Sequence, residues 1–428
     1  MKPSFSSPIR PVAAPAVAAA ALTAVVFLQP AVASQAAVAA PSCPSSVGAV
    51  GFPIDFTPLA SAEATVSITA GALPAGVSLS NRGEAPHLVG DPTTVQTASF
   101  TLSATSGSGT TESIPCTIDV RKAPVVQNIA GTDRYDQAVA VSKLEFTSAK
   151  TVYIASGAKY PDALSAGSLA AHHEAPLLLT RADTIPDAVL DEIARLAPDD
   201  VVIVGGEASV SKAVHDRIDS RTTATITRIG GADRYAVSRA LVSHPEFGYG
   251  TGGSEQAFVV TGRTFPDALT STPAAAAAGS PVLLVDGTAT SLDPADLAVL
   301  DFLGVADVVI AGGTASVSAA MEASISESFD TVRLAGVDRY QAGVAVNKGI
   351  FAAAPDLYLA SGTAFADALS GGVVAGIEKS PLYVTTPGCL TNEVYFEIGR
   401  LAPTTVYTLG GPATLGAGVT SLTPCGLD

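Results

Sequence analysis

Tryptophan is absent from the 428 residues and aromatics reach only 6%, so stacking platforms for sugars or bases are scarce. Charge is sparse as well, at 14% Asp, Glu, Lys and Arg against about a quarter in ordinary domains. Basic residues number 23 against 39 acidic ones, a net charge of −16. Nucleic-acid binding rests on surplus Lys and Arg, so that class is excluded. No C-x-x-C, G-x-S-x-G or P-loop occurs, which removes the commonest zinc, serine-hydrolase and nucleotide signatures. His87, His172, His173, His215 and His244 do not recur between related segments and show no metalloprotease spacing. They are expected at the surface, with no metal or cofactor. Gly and Pro, 39 and 29 residues, are too few for a low-complexity chain. What remains is an acidic, Ala/Val/Gly-rich globular protein of two to four domains.

Lys2 and Arg10 precede an apolar run over 16–28, and Ala31-Val32-Ala33 stands before Ser34. That order predicts a secretory signal peptide over 1–33. The run of 13 residues is short of the roughly 20 a membrane-spanning helix needs. Later uncharged stretches are broken by Pro, Gly, Ser and Thr, so no membrane span is expected after cleavage. The four cysteines pair naturally as Cys43 with Cys116 and Cys389 with Cys425, each pair bracketing one candidate domain. Three pairings are open in principle; this one fits an oxidising compartment.

Residues 34–121 are rich in Ser, Thr and Gly, and runs such as 64–68, 99–103 and 116–120 alternate with period two. Turn signals at Leu73-Pro74-Ala75-Gly76 and Gly90-Asp91-Pro92 separate them, which predicts a β-sandwich. Beyond about residue 122 a threefold repeat begins. Asn128-Ile129-Ala130-Gly131-Thr132-Asp133-Arg134-Tyr135 recurs as 228–235 and 333–340. Pro161-Asp162-Ala163-Leu164, Pro266-Asp267-Ala268-Leu269 and Ala366-Asp367-Ala368-Leu369 keep the same order, followed by Gly205-Gly206, Gly312-Gly313 and Gly410-Gly411. The expected repeats are 122–227, 228–332 and 333–428. In the first, helical patterns at 133–143, 162–171, 185–196 and 210–218 alternate with apolar strands at 151–155, 176–180 and 201–204. Continuous apolar strands between helices predict a parallel sheet covered on both faces.

G-x-D-R-Y, a strand ending in S-G, P-D-A-L, a P-L-L-L strand and V-G-G-x-x-S-V-S together resemble the second type of bacterial cell-wall-binding repeat. The resemblance covers 122–428. It implies three small Toprim-like α/β domains in a pseudo-threefold arrangement, held non-covalently on anionic polymers or peptidoglycan of a Gram-positive wall. The stretch 71–79 with 88–93 resembles immunoglobulin-like modules of bacterial surface proteins, which implies a spacer or adhesive head without chemistry. The third copy departs from the pattern: it lacks Pro before Asp367 and has Thr414-Leu415-Gly416 for S-V-S.

Asp133, Asp233 and Asp338 precede helices and suit N-capping. Arg134, Arg234 and Arg339 suit either a carboxylate in a neighbouring repeat or an anion on a polymer. Tyr135, Tyr235 and Tyr340 are expected to pack. Asp162, Asp267 and Asp367 sit in a first helical turn near strand ends, where α/β sheets bind ligands; no paired base or nucleophile accompanies them. Gly205, Gly206, Gly312 and Gly313 suit an anion at their N–H groups or a tight turn alone. The expected function is a secreted wall-anchored protein rather than an enzyme. The alternatives are a wall hydrolase or its modifier, or self-assembly; the oligomeric state is open.

Overall fold

The computed structural model describes residues 40–54, 58–82 and 85–426; the expected leader, 1–33, lies outside them. Among the described residues the N-terminal module carries six strands: β1 (Val47–Ala49), β2 (Thr65–Gly71), β3 (Ser78–Ser80), β4 (His87–Val89), β5 (Gln96–Thr105) and β6 (Thr111–Arg121). Four form one sheet in the order β1-β6-β5-β2, while β3 and β4 form a separate antiparallel ribbon. Alternate residues of β5 and β6, among them Phe100, Leu102, Cys116, Ile118 and Val120, bury one face, as period-two patterning requires. Cys43 and Cys116 are disulfide-bonded.

The rest of the chain alternates strand and helix: β7 (Val125–Ile129), α1 (Arg134–Glu145), β8 (Thr151–Ser156), α2 (Tyr160–His172), β9 (Leu177–Thr180), α3 (Asp187–Leu196), β10 (Asp200–Val204), α4 (Lys212–Asp219) and β11 (Thr225–Ile229). The second round is α5 (Arg234–Val242), β12 (Gln256–Thr261), α6 (Pro266–Ala277), β13 (Val282–Val285), α7 (Pro294–Leu303), β14 (Asp307–Ala311), α8 (Ala319–Ile325) and β15 (Asp330–Leu334). The third is α9 (Arg339–Ile350), β16 (Asp356–Ser361), α10 (Ala366–Ile377), β17 (Leu382–Thr385), α11 (Asn392–Leu401), β18 (Thr405–Leu409) and α12 (Ala417–Thr420).

Three four-stranded parallel sheets result: β11-β10-β8-β9, β13-β12-β14-β15 and β17-β16-β18-β7. Their central strands are buried along their whole apolar stretch, the reason they read as continuous runs rather than alternations. The strand that opens each repeated motif pairs with the sheet before it, so each sheet is offset by one strand from the sequence repeat. β7 therefore has no preceding unit in the chain. It pairs in parallel with β18, from Val125 opposite Thr405 to Ile129 opposite Leu409, and closes the three units into a cycle. Asn128 fastens the closure, its Nδ2 donating to Thr408 Oγ1 (2.8 Å) and the Gly410 carbonyl (3.0 Å). Arg228 and Arg333 hold the Gly205 and Gly312 carbonyls in the same way (3.0 and 2.7 Å).

Helices α2, α6 and α10 pack against one another at the centre. Their contact is lined by small residues. A Cβ on Gly167 would lie 2.8 Å from Thr272 Cγ2, and one on Gly376 2.8 Å from the Ala276 methyl. The Ala- and Gly-rich composition of these helices is thus a packing requirement.

The N-terminal module docks on the third unit. Ala49 and Phe52 enter a core with Tyr395, Ile398 and Leu401. Phe52 and Tyr395 rings lie 5.1 Å apart, and the Tyr395 hydroxyl donates to the Gly51 carbonyl at 2.9 Å. Cys389 and Cys425 close the C-terminal loop as a second disulfide.

Candidate ligand-binding clefts

Each repeated motif divides its work among three side chains. Asp133 Oδ1 accepts from the amides of Tyr135 (2.9 Å) and Asp136 (3.0 Å). Asp233 and Asp338 cap α5 and α9 in the same way, each worth about 1 kcal/mol. The tyrosine rings lie against the glycine that follows β8, β12 or β16. A Cβ on Gly157, Gly262 or Gly362 would come within 2.8, 2.7 or 2.6 Å of Tyr135, Tyr235 or Tyr340 respectively.

The arginines reach across units. Nη1 of Arg134, Arg234 and Arg339 donates to the carbonyls of Gly157 (2.6 Å), Gly262 (2.5 Å) and Gly362 (2.6 Å). Each guanidinium also sits over an aromatic ring of the preceding unit in the cycle: Arg134 over Phe365 (5.5 Å), Arg234 over Tyr160 (5.9 Å) and Arg339 over Phe265 (5.8 Å). Those three rings meet at the centre with centroids 5.6–5.8 Å apart.

Asp162, Asp267 and Asp367 stand beside these arginines at the N-termini of α2, α6 and α10, with 8, 7 and 9% exposure. Burial raises each carboxyl above the ordinary range. A hydroxyl from Ser209, Ser316 or Thr414 and the charge of Arg234, Arg339 or Arg134 oppose that rise. Thr414 Oγ1 donates to Asp367 at 2.8 Å. The facing pairs are Asp162 with Arg234, Asp267 with Arg339 and Asp367 with Arg134, so every cleft is built from two units.

The paired glycines form the cleft floor. Gly205, Gly312 and Gly410 have φ of +101°, +105° and +123°, and a Cβ on any of them would meet the neighbouring carboxylate within 2.5 Å. Their own N–H groups donate to Ile229, Leu334 and Ile129, which takes the first glycine of each pair out of the set that could hold an anion. Gly313 lines the cleft between the second and third units, whereas Gly206 faces open space.

Sequence reasoning missed Tyr160, Phe265 and Phe365, although an aromatic residue precedes the P-D-A-L motif in all three copies. It also missed Asn128, Arg228 and Arg333, which open each motif and carry its clamp. The histidine expectation needs correction at His173: it is half-buried and hydrogen-bonds the Tyr153 hydroxyl at 2.7 Å. Burial pushes its pKa down to about 4. Among the described residues no cluster of three His, Cys, Asp or Glu is arranged to hold a metal ion. No helix there is long and apolar enough to cross a membrane.

Residues 128–215, 228–322 and 333–420 match the family described as Cell wall binding domain 2. An amidase enhancer of Bacillus subtilis is 32% identical over 258 residues, 60% of this chain and 34% of the relative. The N-acetylmuramoyl-L-alanine amidase LytC of the same organism is 28% identical over 260 residues, 61% of this chain and 50% of the relative. The chain thus spans half or less of the curated relatives it matches. Cwp6 from Clostridium difficile aligns with a TM-score of 0.64 at 19% identity, covering 89% of this chain and 67% of that one. Cwp8 from the same organism gives 0.61 at 24% identity, covering 74% and 57%. With three tandem copies over most of its length, this chain belongs to the cell wall binding domain 2 family.

Proposed function

We propose that this protein is secreted and held non-covalently at the bacterial surface on an anionic wall polymer, without catalytic activity of its own. The observation that carries the reading is the threefold recurrence of a guanidinium, a buried carboxyl and a glycine turn in clefts shared between units. An arginine with one Nη1 on a carbonyl keeps its remaining N–H groups for a phosphate or carboxylate. Local cations of this kind let a chain of net charge −16 meet an acidic polymer. On this reading each repeat unit is Toprim-like, and the N-terminal module is an immunoglobulin-like spacer or adhesive head. Sedimentation of the full chain with purified walls tests it: retention that salt or soluble polymer reverses supports anchoring, and absence from the pellet at every salt concentration overturns it.

The names of the two Bacillus subtilis relatives favour a second reading, that the chain modifies a wall hydrolase. It requires that adding the chain change the rate at which a purified amidase clears wall suspensions. An unchanged rate removes it.

A further inference from the structure

The three clefts share a plan but differ in chemistry, and the one between the second and third repeats stands apart. It encloses about 370 Å³ and is lined by two guanidiniums, Arg263 and Arg339, above the helix start at Asp267. Ala158 and Thr363 occupy the place of Arg263 in the other clefts; the first has a lysine one residue on, Lys159, whose charge acts on Asp162, and the third has no second cation at either position. Asp267 and Asp338 line the second cleft, but Thr288 and Thr314 stand where the first repeat carries Asp183 and Glu207, two fewer carboxylates to repel an anion. The third cleft lacks those acids, but it has Ala364 and Thr363 where the second has Thr264 and Arg263. Arg263 is held 3.3 Å from Asp286, a pair with both side chains about half exposed (56 and 44%), which water screens and an incoming anion can displace. At the lip Val337 is 88% exposed, where the other clefts have Thr132 and Ala232.

We propose that the Arg263–Arg339 cleft is the principal ligand site and takes an anionic sugar unit of a secondary wall polymer. The phosphate or carboxylate of the unit bridges the two guanidiniums, its hydroxyls meet Thr264 and Thr288, and its apolar face lies on Val337. This rests on the wall-binding reading above and deepens it: the three clefts contribute unequally, and the first and third bind the polymer more weakly than the second.

The test uses the full chain and purified Bacillus subtilis walls, with the apparent Kd read by sedimentation. Thr132, Ala232 and Val337 are all exposed, so a glutamate at each adds one negative charge to one cleft without disturbing a core. Val337→Glu and Arg263→Ala are expected to weaken binding about tenfold or more, the scale of a lost charge-assisted hydrogen bond. Ala232→Glu and Thr132→Glu are expected to stay within about twofold of the parent. Equal losses from the three glutamates, or undiminished binding by Arg263→Ala, overturn the assignment while leaving wall binding intact. A parent chain that never binds walls overturns both. Acid-extracted walls separate the ligand sources: binding abolished by extraction supports the secondary polymer, and binding that persists assigns the ligand to peptidoglycan and overturns the polymer class.

Discussion

Replacing Gly399 with alanine should detach the N-terminal module while leaving its supporting helix intact. On helix propensity alone the change should stabilise α11 by about 1 kcal/mol. Its methyl, however, would lie 2.0 Å from the Pro53 carbonyl oxygen and 3.4 Å from Phe52 Cβ. The first contact is with backbone, which cannot swing aside, so the module must move. Separation removes Phe52 from the core it shares with Tyr395, a loss of about 2 kcal/mol. It also breaks the 2.9 Å bond from Tyr395 to Gly51, worth about 1 kcal/mol. A coupling of about 3 kcal/mol corresponds to a roughly hundredfold change in the opening equilibrium. Hydrogen exchange read by mass spectrometry separates the two effects. Amides around β1 and Phe52 should exchange about two orders of magnitude faster, while those in the interior of α11 should keep or gain protection. Unchanged protection across 45–53 would refute the docking energetics. Ala194 and Asp301 occupy the equivalent position in α3 and α7, so the third unit alone offers this seat.

Three further outcomes follow from named contacts. Asn128→Ala removes the side-chain clamp between β7 and β18 and should lower stability by about 1–2 kcal/mol, read as a reduced urea midpoint with faster exchange confined to those strands. Replacing Cys389 and Cys425 together by serine reopens a loop of 36 residues and should cost roughly 3–4 kcal/mol in the loop-entropy account, visible in the denaturant midpoint of the third unit. His173 binds its proton less readily in the folded chain, with a pKa of about 4, than unfolded, where it lies near 6.5. Its contribution to stability is therefore complete above about pH 6.5 and falls as pH is lowered towards 4. His173→Asn should flatten the acid side of the melting-temperature profile in that window; identical slopes for variant and parent would contradict this.

The interior of each sheet was legible because β8, β10, β12 and their counterparts are covered on both faces and so lack polar alternation. The strand that opens each repeated motif, at one edge of its sheet, escaped notice for the complementary reason, whereas β9, at the opposite edge, is buried and reads as an apolar run. β7, β11 and β15 are largely half-exposed or exposed, carry no apolar run, and blend into the motif that follows. Closure of the cycle through β7 and β18 pairs residues 280 apart in sequence, beyond the reach of local patterning. The repeated Asp, Arg and Tyr were visible as a motif. That Arg234 faces Asp162 rather than its own repeat's Asp267 depends on how the units meet, and no spacing encodes that. Cys43–Cys116 and Cys389–Cys425 could be inferred because each pair brackets a single unit.

The central claim, attachment to an anionic wall polymer, is tested most directly by sedimenting the full chain with purified walls before and after acid removal of secondary polymers. The account predicts saturable binding to intact walls that high salt reverses and that extraction abolishes. A chain that stays in the supernatant with intact walls at low salt, or binds both preparations alike, contradicts it.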